Sequence, residues 1–282
     1  MHPAFVNGIA FYKGSPPWLF AEEKKNFGKP ILMKPFFTQA GLQKLKTYCH
    51  PQTLFAFDYD GTLTPLTSKI SEARLPLKTQ KLLETLYLYT PIVIVSGRSI
   101  TDLKTLCSFT PTLFIGNHGL EGLKLEKKLK INFYKICKKW KKQLLNITPD
   151  IQGIELEDKK YSLSIHYRNV RAKVNTKALL LRHLSKLYPT PKIVFGKSVI
   201  NILPFSKFNK GTSLKIAMHQ LKMKRAIYVG DDQTDEDVFC LPTHSILKIR
   251  IGKKNNSHAH FYLKNHFKIN QFLTEALSLF LR

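Results

Sequence analysis

At 282 residues the chain has room for one large domain or two smaller ones, with ample surface to bury a core. Apolar residues at 43% and charged residues at 23% are globular proportions and argue against a disordered chain. Its 45 Lys and Arg against 19 Asp and Glu give a net charge of +26, which predicts attraction to anions as a class, whether nucleic acid, anionic membrane or phosphorylated metabolite, without choosing among them.

Residues 1 to about 40 are rich in Pro, Gly and aromatics without a sustained period, as in Gly14-Ser15-Pro16-Pro17-Trp18, and read as an irregular arm or extension. No basic and apolar leader is visible there, since Ala21-Glu22-Glu23-Lys24-Lys25 would interrupt one, and no apolar run approaches the roughly 20 residues that span a bilayer. A short helix is expected from Thr38 to Tyr48. Leu54-Phe55-Ala56-Phe57 then runs into Asp58-Tyr59-Asp60-Gly61-Thr62. An unbroken apolar run is the mark of a strand buried on both faces, so Asp58 and Asp60 are expected at the carboxyl end of a central parallel strand, where open α/β sheets bind ligands. Residues i and i+2 of an extended segment point the same way, and Gly61 allows a sharp turn close to a ligand. The plainer alternative is that Asp60 caps a following helix.

The pattern then alternates. Helical spacing over Gln80 to Tyr89 precedes a strand at Ile92-Val93-Ile94-Val95, which ends in Ser96-Gly97-Arg98. Thr101 to Cys107 is expected to be helical, and Leu113-Phe114-Ile115 is a third strand before Gly116-Asn117-His118-Gly119. Strand and helix in this rhythm predict a doubly wound α/β layer.

From Lys124 to Lys142 nine lysines stand against one glutamate, with Leu129, Phe133, Ile136, Trp140 and Leu144 at helical spacings. This is an amphipathic helix with a basic outer face, read as a solvated surface in preference to a nucleic-acid site, because it lacks Arg and exposed stacking aromatics. Strands are expected at Ile151 to Leu156, Leu163 to Tyr167, Ile193 to Phe195 and Val199 to Leu203, with a helix from Val174 to Tyr188. Together these describe a small α+β module inserted into the larger layer. Alternation resumes with a helix over Gly211 to Leu221, a strand at Ala226 to Val229 ending in Gly230-Asp231-Asp232, a strand at Ile246 to Ile251, and a closing helix from Ile269 to Leu281.

The second acidic group, Asp231 to Asp237, holds five carboxylates in seven residues of an otherwise acid-poor chain. Carboxylates arriving from two strand ends suit Mg²⁺, a hard cation that takes oxygen ligands. Glu236 and Asp237 are assigned instead to the first turn of a helix, where acids favour the dipole, and Asp231 at the strand tip is the expected ligand. Ser96 can offer a hydroxyl to a phosphate, and Lys210, between Asn209 and Gly211 at a helix start, can offer a cation. Taken singly, both are commonplace turn and surface residues. The cysteines Cys49, Cys107, Cys137 and Cys240 are scattered without a CxxC, which argues against a disulfide framework or a zinc site and points to reduced thiols in the cytoplasm.

Asp58-Tyr59-Asp60-Gly61-Thr62, Ser96, Lys210 and Gly230-Asp231-Asp232 resemble, in order, the four motifs of the haloacid-dehalogenase superfamily of phosphohydrolases. Ser96-Gly97-Arg98, Gly116-Asn117-His118-Gly119-Leu120-Glu121, Glu157-Asp158-Lys159, His166-Tyr167-Arg168 and Gly230 to Phe239 resemble the trehalose-6-phosphate phosphatases more narrowly. The resemblance implies a doubly wound parallel-sheet core over residues 46–121 and 206–282, a cap over 122–205, and an N-terminal extension over 1–45. It implies a Mg²⁺-dependent phosphatase acting on trehalose 6-phosphate, with Asp58 as nucleophile and Asp60 as general acid and base. Asp58, the Asp60 carbonyl and Asp231 would hold Mg²⁺, and Ser96 and Lys210 would stabilise the phosphoryl group. Asp232 and Asp235 would orient metal waters or hold Lys210. Glu157, Lys159, His166 and Arg168 on the cap, with Gly97, Arg98, Asn117 and His118 on the core, would line the substrate site. A strand residue packed within the cap is an equal reading of His166. Asn201-Ile202-Leu203-Pro204 stands where that family commonly shows Glu-x-Arg-Pro, so Asn201 would meet the sugar with an amide in place of a charged acceptor. The alternatives are another sugar phosphate, such as sucrose phosphate, or a nucleic-acid-binding module that leaves the acidic residues unexplained. A monomer is expected, with a small-molecule substrate as partner and neither nucleic acid nor membrane.

Overall fold

Thr53–Phe57 (β4) is five residues long and buried throughout, so it needs cover on both faces, and the fold is built around supplying it. The structure is a computed structural model describing residues 4–6, 9–11, 32–67, 72–145, 151–196 and 198–281. The first strands, Ala4–Val6 (β1) and Ile9–Phe11 (β2), pair antiparallel with Val6 opposite Ile9. This corrects the expected irregular arm for residues 4–6 and 9–11, which pair as strands.

The core is a seven-stranded, wholly parallel sheet. In chain order its elements are Lys34–Pro35 (β3), the helix Gln39–Tyr48 (α1), β4, the helix Leu77–Tyr87 (α2), Ile92–Val95 (β5), the helix Ile100–Leu106 (α3) and Leu113–Ile115 (β6). After the inserted module follow the helix Lys210–Gln220 (α6), Arg225–Gly230 (β11), the short helix Glu236–Phe239 (α7), Ile246–Ile251 (β12), Phe261–Leu263 (β13) and the helix Lys268–Phe280 (α8). The strand order is β3-β13-β12-β11-β4-β5-β6. Winding runs outward from β4 in one direction before the insertion and in the other after it, so β4 and β11 flank the switch point where such sheets bind ligands.

Alternate residues of each strand feed opposite layers. Phe55, Phe57, Ile92 and Ile94 pack with Leu45, Leu83, Leu103 and Phe272 of α1, α2, α3 and α8. Leu54, Ala56, Val93 and Val95 pack with Leu214, Ala217 and Phe239 of α6 and α7 on the other face. Residues 34–48, expected to fall largely within an extension, are part of this core. Phe36, just after β3, is fully buried and edge-on to Phe37, Phe261 and Phe272, which draws β3 to the sheet edge.

Between β6 and α6 lie the helix Lys127–Leu145 (α4), Glu155–Asp158 (β7), Leu163–His166 (β8), the helix Lys173–Leu184 (α5), Lys192–Gly196 (β9) and Val199–Leu203 (β10). The strands form an antiparallel sheet in the order β7-β8-β10-β9. Helix α4 lays Phe133, Cys137, Trp140 and Leu144 inward while most of its lysines face outward. Cys137, Trp140 and Leu144 pack with Leu180, Leu184, Leu163, Ile165, Ile200 and Ile202, and the fully buried Trp140 donates Nε1–H to the Pro189 carbonyl at 2.7 Å. Leu129 and Ile136, expected in the apolar stripe, are half-buried. The strand expected over Ile151 to Leu156 begins only at Glu155, because Gly153 takes φ +91° and turns the chain. Among the described residues no helix is long and apolar enough to cross a membrane.

Candidate active site

The backbone N–H of Asp58 donates to the Val229 carbonyl at 2.9 Å, so the strand ladder between β4 and β11 closes on this residue. Gly61 then turns the chain at φ +84°, with its N–H bonded to the Thr64 carbonyl. An added Cβ there would stand 2.2 Å from the Asp231 carboxylate, and only hydrogen fits. Lys210 is the first residue of α6, whose start is fixed by reciprocal Asn209 and Thr212 hydrogen bonds. Its Nζ reaches Asp58 Oδ1 at 2.7 Å and Asp235 Oδ1 at 2.8 Å, with Asp232 Oδ1 at 4.0 Å.

Asp235 is fully buried and accepts from four donors: Lys210 Nζ, the Tyr228 hydroxyl at 2.6 Å, and the backbone N–H groups of Asp231 and Asp232 at 2.8 and 2.9 Å. It is a scaffold that shapes the loop after β11 and aims the lysine. Carboxylate oxygens of Asp58, Asp231 and Asp235 all lie within 4.8 Å of one another, and Asp231 Oδ1 is buried without a hydrogen-bond partner. With Asp235 saturated, Asp58 and Asp231 are the pair able to take a cation. Oxygen donors with one buried lone pair unpaid fit a hard divalent ion of the Mg²⁺ kind.

The electrostatics agree. Burial pushes Asp58 well above the usual carboxylate range, with Asp235, Asp231 and Asp232 adding to the rise and Lys210 opposing it. Burial, with Asp235 and Asp232, raises Asp231 to about 7. Lys210 pays for its burial but is held charged by Asp235 and Asp58. Partial desolvation works against the charge on Asp232, yet Lys210 and two hydrogen bonds from Thr234 outweigh it and lower its pKa. More negative than positive charge is gathered here, which a cation would relieve.

On the adjacent strand end Ser96 is buried, and its Oγ accepts from the Arg98 backbone N–H at 3.1 Å, leaving its proton free to donate. The Arg98 guanidinium grips Asp60 through two bonds of 2.6 Å, one to each carboxylate oxygen. In this arrangement Asp60 is an ion-paired carboxylate, about a third exposed, and not a helix cap. His118, in left-handed backbone at φ 55°, lies against Gly97, where an added Cβ would be 2.5 Å from its ring. Neither His118 ring nitrogen has a partner, and burial, with the Lys159 and Lys210 charges, lowers its pKa to about 3, so the imidazole is neutral.

Asn117 is not an open lining residue. Its amide nitrogen donates to Glu121 Oε2 at 2.8 Å and to the Lys159 carbonyl at 3.1 Å, and its oxygen accepts from Ser162 at 2.6 Å, tying core to inserted module. Lys159 Nζ crosses the same gap to the Gly97 carbonyl at 3.3 Å. Glu157 sits between His166 Nε2 at 2.8 Å and Lys159 Nζ at 3.5 Å; burial opposes its charge, but these two partners prevail and lower its pKa. Arg168 follows on the same module, half-buried. Asn201 is buried within the antiparallel sheet, accepting from Ser164 Oγ at 2.7 Å and donating to the Val194 carbonyl at 3.2 Å, so its oxygen is already engaged.

Sequence reasoning passed over Arg250. Buried on β12, it donates to the carbonyls of Asp231 and Asp232 and to Glu236 Oε1 at 3.0 Å, bracing the loop that carries the acids. The signal was there in Ile246-Leu247-Lys248-Ile249-Arg250-Ile251, where two cations share one face of an otherwise apolar strand. Glu236 is correspondingly a buried ion-pair partner and not only a first-turn acid.

Comparisons with known proteins agree with this geometry. A probable trehalose-phosphate phosphatase J of Arabidopsis thaliana is 30% identical over 210 residues, covering 67% of this chain and 57% of that protein. Trehalose-phosphate phosphatase B of the same plant is 27% identical over 246 residues, covering 79% and 65%. The chain thus spans less than two thirds of the length of these relatives. Among solved structures, a trehalose-6-phosphate phosphatase related protein superposes with TM-score 0.69 at 21% identity over 81% of this chain and 99% of that one. The C-terminal domain of the C. albicans trehalose-6-phosphate phosphatase gives TM-score 0.63 at 22% identity over 90% and 99%. At such identities these two likenesses speak to fold. The family profile described as Trehalose-phosphatase matches residues 56–265, from the end of β4 just before Asp58 through the inserted module to β13, and the chain belongs to the trehalose-phosphatase family.

Proposed function

We propose that the chain is a Mg²⁺-dependent phosphatase that hydrolyses trehalose 6-phosphate to trehalose and phosphate. The observation that carries the reading is the pair of buried Asp58 and half-buried Asp231 beside the Lys210 ammonium, with one buried Asp231 oxygen unpaired, in a chain of this family. Asp58 and Asp231, with the Asp60 backbone carbonyl, would hold Mg²⁺, which supplies the positive charge that lets an anionic nucleophile meet an anionic phosphate.

The chain's own residues do the rest. Lys210, kept charged by Asp58 and Asp235, stabilises the phosphoryl oxygens, and the Ser96 hydroxyl proton donates to one of them. An Asp58 oxygen bonds to phosphorus as the bond from phosphorus to the sugar oxygen breaks, giving an aspartyl-phosphate. Asp60, freed from Arg98 and having taken up a proton from solvent, gives that proton to the leaving sugar oxygen, and the resulting carboxylate then takes a proton from the water that hydrolyses the intermediate. For this it must leave Arg98, whose two donors suit a phosphate equally well, so arriving substrate can exchange partners with Asp60. Neutral His118, with both ring nitrogens unpartnered, can hydrogen-bond a substrate oxygen.

The inserted module, taken as a cap over 122–205, brings Glu157, Lys159, His166 and Arg168 to the sugar. A second reading keeps the chemistry and changes the sugar. It is favoured by Asn201, whose oxygen is spent on Ser164 and which offers no charged acceptor. Phosphate release from a panel of sugar phosphates separates the two: the first reading expects preference for trehalose 6-phosphate, and equal turnover of sucrose phosphate or hexose phosphates would refute it.

A further inference from the structure

Glu236, Cys240 and His258 meet beside Arg250, which pairs with Glu236, in a cluster that the chemistry above does not use. Glu236 opens α7, and Cys240, four residues on, caps its end, so both lie on one face of that turn; His258 comes from the connection between β12 and β13. Cys240 Sγ lies 3.2 Å from His258 Nδ1, and Glu236 Oε2 lies 3.7 Å from the same nitrogen. All three donor atoms fall within 4.8 Å of one another.

We infer that this cluster is a zinc site: a thiolate, an imidazole nitrogen and a carboxylate oxygen around one Zn²⁺, with a water in the fourth position. The distances suit it. Bonds of about 2.3 Å to sulfur and about 2.0–2.2 Å to nitrogen and oxygen, at tetrahedral angles, put neighbouring donors about 3.3–3.6 Å apart. Sulfur and imidazole favour Zn²⁺ over Mg²⁺, so the two sites would sort their cations by chemistry.

A hydrogen-bonded relay fits less well. Thiol and carboxylate converge on the same ring nitrogen, which can carry a single proton and so cannot serve both as hydrogen-bond partners equally, whereas one cation satisfies both. Glu236 has an oxygen to spare for this, since Arg250 takes Oε1 while the His258 N–H uses only one lone pair of Oε2. Cysteine spacing along the chain argues against a zinc site, but it speaks only to ligands that are neighbours in sequence. Here 18 residues separate Cys240 from His258, and the fold closes the gap. An ion so placed pins α7 to the β12–β13 connection behind the loop that Arg250 braces, a structural role separate from catalysis.

The test is Co²⁺ titration of the full chain, stripped with chelator and held in excess Mg²⁺ to fill the acidic pair. Expected are one equivalent of Co²⁺ showing a near-ultraviolet thiolate charge-transfer band with the strong visible bands of four-coordination, displacement by Zn²⁺, and loss of the charge-transfer band in Cys240→Ser. The other thiols are poor rivals, because burial pushes Cys49 and Cys137 up to about 12 and Cys107 to about 11. His258→Gln, checked for native circular dichroism, should also lose the four-coordinate bands and covers the case in which Cys240→Ser does not fold. Parental protein without the band, or a band that survives either folded variant, overturns the site.

Discussion

Replacing Gly61 by Ala tests the geometry of the acidic pair without touching any charged group. Gly61 sits at φ +84°, where an L side chain costs about 1–2 kcal/mol. The new Cβ would fall 2.2 Å from Asp231 Oδ2 and 2.6 Å from its Cγ. Ordinary contact needs roughly 3.5 Å, so the carboxylate must retreat by about 1 Å. It cannot follow by moving its backbone, because the Asp231 N–H is tied to Asp235 and its carbonyl to Arg250. Mg²⁺ holds its ligands rigidly at about 2.0–2.1 Å, and a 1 Å misplacement in an active site can cost about 100-fold in rate. The expected outcome is a rise of about tenfold or more in the Mg²⁺ concentration for half-maximal phosphate release, with stability lowered only by the backbone strain of about 1–2 kcal/mol. Gly252→Ala is the control: φ is +77° and nothing lies within 4 Å of its Cβ position, so it carries the same strain away from the site. Mg²⁺ dependence that is the same in the two variants would refute the assignment of Asp231.

Lys210→Met should abolish activity and lower stability by about 3–5 kcal/mol, because Asp58 and Asp235 are left buried without their shared cation; urea unfolding reads it, and an unchanged midpoint contradicts the ion-pair argument. Lys159→Ala, which removes the contact to the Gly97 carbonyl and to Glu157, should raise KM about tenfold, equivalent to about 1.4 kcal/mol, with a smaller change in kcat; a fall in kcat at unchanged KM in steady-state kinetics would sink the cap-contact reading. Stability of the metal-free protein should fall as pH rises from about 4 to about 7, since Asp231, raised from 3.8 to about 7, binds a proton in the folded state that the unfolded chain has already released. Asp58 and Asp235 are raised too and act in the same sense, while Asp232 is lowered and contributes below that window. Added Mg²⁺ should therefore stabilise most near neutral pH, and a melting temperature that climbs with pH in chelator would contradict the cluster's electrostatics.

Much of the core was legible because a doubly covered parallel strand leaves an unbroken apolar run, and β4, β5 and β11 each run straight into the residues that form the site. What was not legible depends on partners distant in sequence. Three-residue β13 and two-residue β3 are strands only because the neighbouring edge pairs with them. Asn117 read as a lining residue until Glu121, Ser162 and the Lys159 carbonyl were found to fill its amide. Asn201 looked like a sugar contact, yet two strands of its own sheet claim its polar atoms. Arg250 shows the opposite error: unremarked among 45 basic residues, it is buried and braces the acidic loop.

The central claim is that Asp58 and a divalent ion together cleave a sugar phosphate. It is tested most directly by phosphate release from trehalose 6-phosphate by the purified chain and its Asp58→Asn variant, each with Mg²⁺ and with chelator. Release by the parent with Mg²⁺ alone, absent in the variant under both conditions, is the predicted result; parental turnover in chelator, or an Asp58→Asn protein that keeps the parental rate, would contradict it.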